Sequence, residues 1–128
     1  MGSSLSSHPK LKVGAKFTVG TEAANAINIA VQLVDRENGN EIAERLALLW
    51  YLASDATGDT ISAAPQTGIA IGTDGLLIEW TANVSGLVVS EADGDIDVTI
   101  TDTGTPTFYL VLVAPDGKLL ISGAITFA

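Results

Sequence analysis

Few side chains in this 128-residue sequence could act as an acid, a base or a nucleophile in a reaction. The only histidine, His8, precedes Pro9 in a serine-rich N-terminal segment that we expect to be mobile. A catalytic imidazole must be held within hydrogen-bond distance of its partners, and a mobile segment does not do this. The sequence contains no cysteine. Catalysis of the Ser–His–Asp and Cys–His kinds is therefore excluded, and so are disulfides and thiolate metal sites.

The acidic side chains offer a second kind of chemistry, because two carboxylates are enough for glycoside hydrolysis. Asp93, Asp95 and Asp97 lie at alternate positions that lead into an apolar run. The same trio could bind Ca²⁺, but an EF-hand loop needs glycine at its sixth position and glutamate at its twelfth. Counted from Asp93, these positions hold Val98 and Gly104. We interpret the trio as a solvated turn and strand, and we predict no catalytic residue, no metal site and no cofactor.

Two further features have a structural interpretation. The segment Gly72–Gly75 lacks the spacing and the lysine of a phosphate-binding loop, so we interpret it as a hairpin turn. Trp50 and Trp80 occupy strand-like positions, and core packing is the expected role of both indoles. Stacking on a sugar ring is the alternative, and it requires at least one exposed indole.

The net charge of −9 is unevenly distributed along the chain. Lys10, Lys12 and Lys16 are half of the basic residues, and the first acidic residue is Glu22. The acidic remainder repels a phosphate backbone, so we expect no nucleic-acid partner. The three lysines suit an acidic surface on a partner or on a neighbouring copy, and they are the predicted contact residues. A solvated tail is the alternative interpretation.

Length and composition predict one folded domain without a membrane span. A hydrophobic fraction of 47% and a mean hydropathy of +0.38 exclude a disordered chain. The longest apolar run, residues 46–53, is far shorter than the about 20 residues that cross a bilayer, so no membrane partner is expected. We divide the chain into residues 1–20, a flexible basic N-terminal arm and first strand, and residues 21–128, a β-sandwich domain.

Apolar and polar residues alternate in runs that are typical of half-buried strands. These runs are residues 13–19, 27–33, 76–80 and 96–100. Residues 108–113 are apolar on both faces, which indicates a central strand or one covered by a partner. Residues 118–127 form the last strand, interrupted at Gly123. The pattern predicts an all-β fold, an Ig-like or related β-sandwich of about seven to eight antiparallel strands with an N-terminal arm.

Turn signals separate these runs. The Gly-containing pairs are Asn38-Gly39, Asp74-Gly75, Asp93-Gly94 and Asp116-Gly117. The segment Pro115–Lys118 is the strongest hairpin signal, and residues 54–67 are expected to form a long exposed loop.

One segment fits two kinds of secondary structure. A helix that begins after Asn40 would place Ile42, Leu46, Leu49 and Ala53 on one face. Period-two alternation instead predicts a strand over residues 45–53, which a hairpin at Asn38-Gly39 would pair with the preceding strand. We favour the strand.

Four stretches carry a resemblance to a known group of proteins. They are Ala-Val-Gln-Leu-Val-Asp from Ala30, Ile-Gly-Thr-Asp-Gly-Leu-Leu-Ile-Glu from Ile71, Val-Ser-Glu-Ala-Asp-Gly-Asp-Ile-Asp from Val89 and Tyr-Leu-Val-Leu-Val-Ala-Pro-Asp-Gly-Lys from Tyr109. Beyond its first 24 residues, the sequence resembles small structural proteins of tailed bacteriophages and prophages, of the capsid decoration or head cement type.

The resemblance implies a virion structural protein that binds and stabilises the assembled head, with no catalytic residue to carry over. The expected partner is the major capsid protein. A homo-oligomer is also expected, a trimer first, because decoration proteins commonly sit at threefold positions. The chain would be made in the host cytoplasm and end on the capsid surface. The alternatives are an Ig-like module of a phage tail or fibre, a carbohydrate-binding or adhesive β-sandwich, and a hydrolase with an acid pair.

Overall fold

The computed structural model of the chain describes residues 12–128, so His8 and Lys10 lie outside the described part. Residues 12–128 contain ten strands and no helix. The strands are β1 (Val13–Val19), β2 (Ala26–Asp35), β3 (Ala47–Ala53), β4 (Gly68–Ile71), β5 (Leu76–Thr81), β6 (Ser85–Val89), β7 (Asp95–Thr101), β8 (Thr107–Val113), β9 (Leu119–Ile121) and β10 (Ile125–Thr126). A helix able to span a bilayer is accordingly not found within the described residues.

The ten strands form two antiparallel sheets that pack against each other. The small sheet has the order β1-β2-β7-β4. The large sheet has the order β10-β8-β3-β6-β5, and β9 pairs with β8 on the same edge as β10. This arrangement confirms the predicted all-β sandwich.

Alternate positions of each strand meet between the two sheets and form the core. The small sheet contributes apolar side chains mainly from β2 and β7, and the large sheet contributes them mainly from β3 and β8. Phe108 and Phe127 pack edge to face, with ring centroids 6.1 Å apart. The period of two that was visible in the sequence is therefore the period of burial.

The ambiguous segment forms β3 at the centre of the large sheet, so the strand prediction is confirmed. Leu48, Trp50 and Leu52 are at most 2% exposed, whereas Leu49 between them is 43% exposed. A helix would have buried Leu49 together with residues three and four positions away, so only the strand accounts for this alternation.

The structure has more strands than the sequence indicates, because two short strands carry weak signals. Neither β4 nor β6 was predicted, and each contains a glycine in a run of only four or five residues. The last predicted strand is divided into β9 and β10. The division is stabilised by Ser122, whose Oγ accepts a hydrogen bond from the Leu110 N–H (2.9 Å) and donates one to the Gly123 carbonyl (2.8 Å).

The predicted turns fall into two classes. Pro115–Lys118 joins β8 to β9 as a hairpin, as predicted. Asn38-Gly39 also folds the chain back on β2, since Val34 forms an antiparallel bridge with Glu41. The predicted pairing of residues 45–53 with β2 is wrong, because β3 pairs with β6 and β8 in the other sheet. Asp74-Gly75 and Asp93-Gly94 lie where the chain crosses from one sheet to the other, so the hairpin prediction for residues 72–75 is wrong. A positive-φ glycine reverses the chain at a corner as readily as in a hairpin, so the sequence signal does not distinguish the two.

An ion pair joins the end of β2 to the β8–β9 hairpin. The Arg36 guanidinium donates two hydrogen bonds to the Asp116 carboxylate, and both side chains are less than one quarter exposed. The bond from Arg36 holds the pKa of Asp116 below its ordinary value. The pair therefore links the two sheets electrostatically at this end of the sandwich.

Candidate docking surfaces

Two of the three predicted contact lysines lie in the described part of the chain, and both are close to the protein's own carboxylates. The Lys12 ammonium lies 3.5 Å from the Glu37 carboxylate, and both side chains are at least half exposed. Lys16 lies on β1, on the outer face of the small sheet, at the margin of an acidic groove. Lys10 is outside the described residues. The two described lysines are available at the surface, although neither is an isolated positive charge.

The acidic groove runs over the outer face of the small sheet and has a volume of about 350 Å³. Its charged lining residues are Lys16, Glu41, Asp74, Asp95 and Asp97. The Asp97 carboxylate accepts hydrogen bonds from the backbone N–H and the hydroxyl of Thr73, both at 2.7 Å. Asp97 therefore holds the corner between β4 and β5.

Asp95 lies among the other carboxylates of the groove. Burial, followed by the negative charges of Asp93, Asp74 and Glu41, raises its pKa above the ordinary value of an aspartate. Within residues 12–128, no group of three or more His, Cys, Asp or Glu side chains has an arrangement that could hold a metal ion. The groove is therefore an open, mutually repelling set of carboxylates on a sheet surface.

The outer face of the large sheet has a different character. The outward-facing positions of β3, β6, β8 and β9, and of β5 up to Ile78, carry no charged side chain. Most are apolar: Ala47, Leu49, Tyr51, Ala53, Leu76, Ile78, Leu87, Val89, Tyr109, Val111, Val113, Leu119 and Ile121. We call this set the apolar face. An antiparallel sheet that is apolar on both sides is expected to be covered on both sides.

Part of the apolar face is covered by the chain itself. The hydroxyl of Tyr51 donates a 2.7 Å hydrogen bond to the carbonyl of Gly58 in the 54–67 loop, and Val111 below is fully buried. Burial and the carboxylates of Asp59 and Asp55 raise the pKa of Tyr51, so its hydroxyl remains a donor at neutral pH. Among the large side chains of the face, Leu49, Leu76 and Ile78 remain exposed, at between 39% and 54%.

A β-bulge shapes the free edge of this face. The register between β5 and β6 shifts between Glu79 and Thr81. Gly86 on β6 lies between Trp50 on β3 and the β5 strand. The indole of the buried Trp50 reaches across Gly86 and donates a 3.2 Å hydrogen bond to the Ile78 carbonyl oxygen. A Cβ atom at Gly86 would lie only 1.8 Å from that carbonyl oxygen. Glycine is therefore required at position 86 for the indole to reach β5.

The two tryptophans have opposite environments. Trp50 is 1% exposed, which confirms its predicted place in the core. Trp80 is 66% exposed, so the prediction of a core position is wrong for this residue. Alternation places Trp80 on the same side of β5 as the exposed Leu76 and Ile78, and it is the extra residue of the bulge between Glu79 and Thr81. An exposed tryptophan beside open leucine and isoleucine side chains is a surface suited to protein contact.

The chain matches no protein-family model and no curated protein.

Proposed function

We propose that this chain is a structural protein of a bacteriophage virion, a capsid decoration protein that binds the major capsid protein of the assembled head. The observation that carries the proposal is the apolar face, which leaves several large apolar side chains open on a protein with a net charge of −9. Open apolar surface of this kind marks a protein-binding site. The role we propose is non-catalytic.

The fold supports such a role because it offers a rigid scaffold with loops at its ends. An Ig-like assignment is supported by the orders β1-β2-β7-β4 and β9-β8-β3, which match the A-B-E-D and G-F-C orders of such a sandwich, while β6 and β5 extend the second sheet beyond β3. The four stretches that resemble phage head proteins lie on β2, on β4–β5, on β6–β7 and on β8 with its hairpin. The resemblance therefore extends over both sheets, and we propose an Ig-like module.

Binding to a shell stabilises it by mass action, because the protein binds the assembled particle and not the free subunits. Many copies on a symmetric shell add avidity to a weak individual contact. We propose that Lys10, Lys12 and Lys16 contact acidic groups of neighbouring copies on the shell, a contact that adds to the docking of the apolar face. Lys12 and Lys16 are exposed on the β1 side of the small sheet, on the opposite side of the sandwich from the apolar face.

The test is co-sedimentation with empty heads assembled from the major capsid protein of the same genome. The full chain is expected to sediment with the heads and to raise the temperature at which they dissociate. Replacing Lys10, Lys12 and Lys16 together by serine is expected to weaken binding about tenfold, if each exposed pair contributes about 0.5 kcal/mol. The matched control replaces Arg45 and Lys118 by serine. A full chain that stays in the supernatant contradicts the proposal.

One observation favours a second candidate, a carbohydrate-binding or adhesive sandwich. Trp80 is exposed enough to stack on a sugar ring. Its exposed neighbours Leu76 and Ile78 bring no side-chain donor or acceptor for sugar hydroxyls, which weighs against this candidate. Titration with oligosaccharides while the tryptophan fluorescence is recorded separates the two. A saturable change that is lost in Trp80→Phe supports the sugar site.

A further inference from the structure

Asn38 is the one asparagine of the sequence that is followed by glycine. Asparagine is among the thermolabile residues of proteins, because the backbone nitrogen of the next residue can attack the carbon of its side-chain amide. Glycine at the next position leaves that nitrogen without a neighbouring side chain. The other asparagines precede alanine, isoleucine, glutamate and valine: Asn25, Asn28, Asn40 and Asn83.

The turn that contains Asn38 is open to solvent. Residues 37–40 are all exposed. A Cβ atom built at Gly39 would meet no atom within 4 Å, and the backbone there has a φ of +77°, which favours glycine. Water therefore reaches the Asn38 side chain, and no side chain hinders the approach to Gly39.

The side-chain amide of Asn38 is turned towards the backbone that would attack it. Its Oδ1 accepts a 2.9 Å hydrogen bond from the backbone N–H of Asn40. The ring closed by this bond contains the Gly39 nitrogen, so the amide carbon lies on the side of that nitrogen. A donor aimed at Oδ1 also stabilises the negative charge that develops on this oxygen during attack.

One hydrogen bond of the turn opposes the reaction. The backbone N–H of Gly39 donates a 2.7 Å hydrogen bond to the Asp35 carbonyl. The nitrogen has to lose its proton to attack, and a carbonyl oxygen does not take up that proton. The bond must therefore open first. Exposed turns open locally at a far lower free energy than the whole fold, so the fold slows the reaction without preventing it.

The three aspartate–glycine pairs are less reactive by the same reasoning: Asp74-Gly75, Asp93-Gly94 and Asp116-Gly117. An ionised carboxylate is a poorer electrophile than a neutral amide. Gly75 and Gly94 are also crowded, because an added Cβ would lie 2.8 Å and 2.2 Å from backbone oxygens. The carboxylate of Asp116 is held by the Arg36 guanidinium. Asn38 is therefore the most reactive of the four positions.

We propose that Asn38 is a site of spontaneous deamidation. The Gly39 nitrogen loses its proton and forms a bond to Cγ of Asn38. The bond from Cγ to Nδ2 then breaks, and Nδ2 takes up a proton and leaves as ammonia. Water opens the resulting succinimide ring at either of its two carbonyl groups, which gives aspartate or isoaspartate at position 38.

Both products change the end of the sandwich near β1. The new carboxylate lies next to Glu37, whose own carboxylate is 3.5 Å from the Lys12 ammonium. Isoaspartate also adds one carbon atom to the main chain of the turn, which shifts the Gly39 N–H relative to the Asp35 carbonyl. Deamidation therefore adds negative charge beside one of the proposed contact lysines as the protein ages.

Peptide mapping by mass spectrometry tests the proposal. The full chain is incubated for several weeks in a mildly alkaline buffer, well below its melting temperature, and is then digested with trypsin. The peptide of residues 37–45 is expected to gain one mass unit, and an isoaspartyl methyltransferase is expected to label part of it. The peptides that contain Asn28 and Asn83 are internal controls and are expected to keep their masses.

Two comparisons make the result decisive. Asn38→Gln is the matched variant, because the longer side chain would have to close a larger ring, and its peptide is expected to keep its mass. A mass gain that persists in this variant assigns the reaction to Asn40 and overturns the proposal. A wild-type chain that loses the Asn38 amide in urea but keeps it when folded also overturns the proposal, because the fold then blocks the reaction.

Discussion

Replacing Gly86 by alanine is the sharpest test of how the core reaches the edge of the large sheet. The added Cβ would lie 1.8 Å from the Ile78 oxygen, 2.8 Å from the Ile78 carbonyl carbon and 2.9 Å from the Glu79 Cα. All three are backbone atoms, so no side-chain rotation relieves the contact. The Ile78 carbonyl has to retreat by more than about 1 Å to reach an ordinary separation. The 3.2 Å hydrogen bond from the Trp50 indole cannot survive that movement.

The magnitude follows from these two losses. A buried N–H without an acceptor costs about 1–3 kcal/mol, and overpacking of a filled site costs about 1–3 kcal/mol. Together they predict a loss of about 2–6 kcal/mol in the free energy of unfolding. For a chain of this length each kcal/mol lowers the melting temperature by about 3–5 °C, so a fall of about 6–30 °C is expected.

The assay compares Gly86→Ala with Gly123→Ala in urea and thermal denaturation followed by circular dichroism. A Cβ at Gly123 meets no atom within 4 Å, and its backbone does not have a positive φ, so this control is expected to unfold almost as the wild type does. The near-ultraviolet signal of Trp50 should also change only in Gly86→Ala. Equal melting temperatures for the two variants would refute the account of the bulge given above.

Three further substitutions have expected outcomes. Asp116→Asn lowers the melting temperature at neutral pH; because the folded pKa of Asp116 is depressed, the difference from wild type is expected to disappear as the pH falls below about 4. Ser122→Ala leaves the Leu110 N–H without its partner and costs about 1–3 kcal/mol in urea denaturation, whereas alanine at the exposed Ser54 has little effect. Asp95→Asn stabilises the protein by up to about 0.5 kcal/mol at neutral pH, because the raised pKa of Asp95 shows that its charge is unfavourable in the folded protein. The stabilisation decreases in 1 M salt, which screens the charges, and as the pH falls through the folded pKa of Asp95. Asp95→Asn melting below wild type at neutral pH contradicts the repulsion in the groove.

The sequence predicted the strands with a long apolar alternation and missed the short strands β4 and β6. Apolar and polar residues alternate clearly in residues 27–33 and 96–100, because one side of the small sheet is exposed to solvent. Both strand predictions agree with the structure. β6 was not predicted, because Ser85 and Gly86 interrupt its apolar run. Turn glycines were located correctly, but pairing partners depend on contacts between distant segments. A local turn signal cannot specify which sheet the chain enters next.

The docking surfaces were predictable only in part. The charge division of the sequence indicated Lys12 and Lys16 as surface residues, and the fold then placed acids beside both. The apolar face had one sequence signal, the run at residues 108–113 that is apolar on both sides. On β5, Leu76 and Ile78 looked like ordinary core positions, because alternation does not reveal which side of a strand faces the core. Trp80 was assigned to the core for the same reason, because it continues the alternation of Leu76 and Ile78.

The bulge on β5 also affects whether further strands can add to the free edge of the large sheet. An edge strand with open apolar side chains can recruit further strands and grow into fibrils. The register shift between Glu79 and Thr81 breaks the straight row of backbone donors and acceptors that such growth needs. The large sheet can therefore present a flat apolar surface while its free edge resists the addition of further strands.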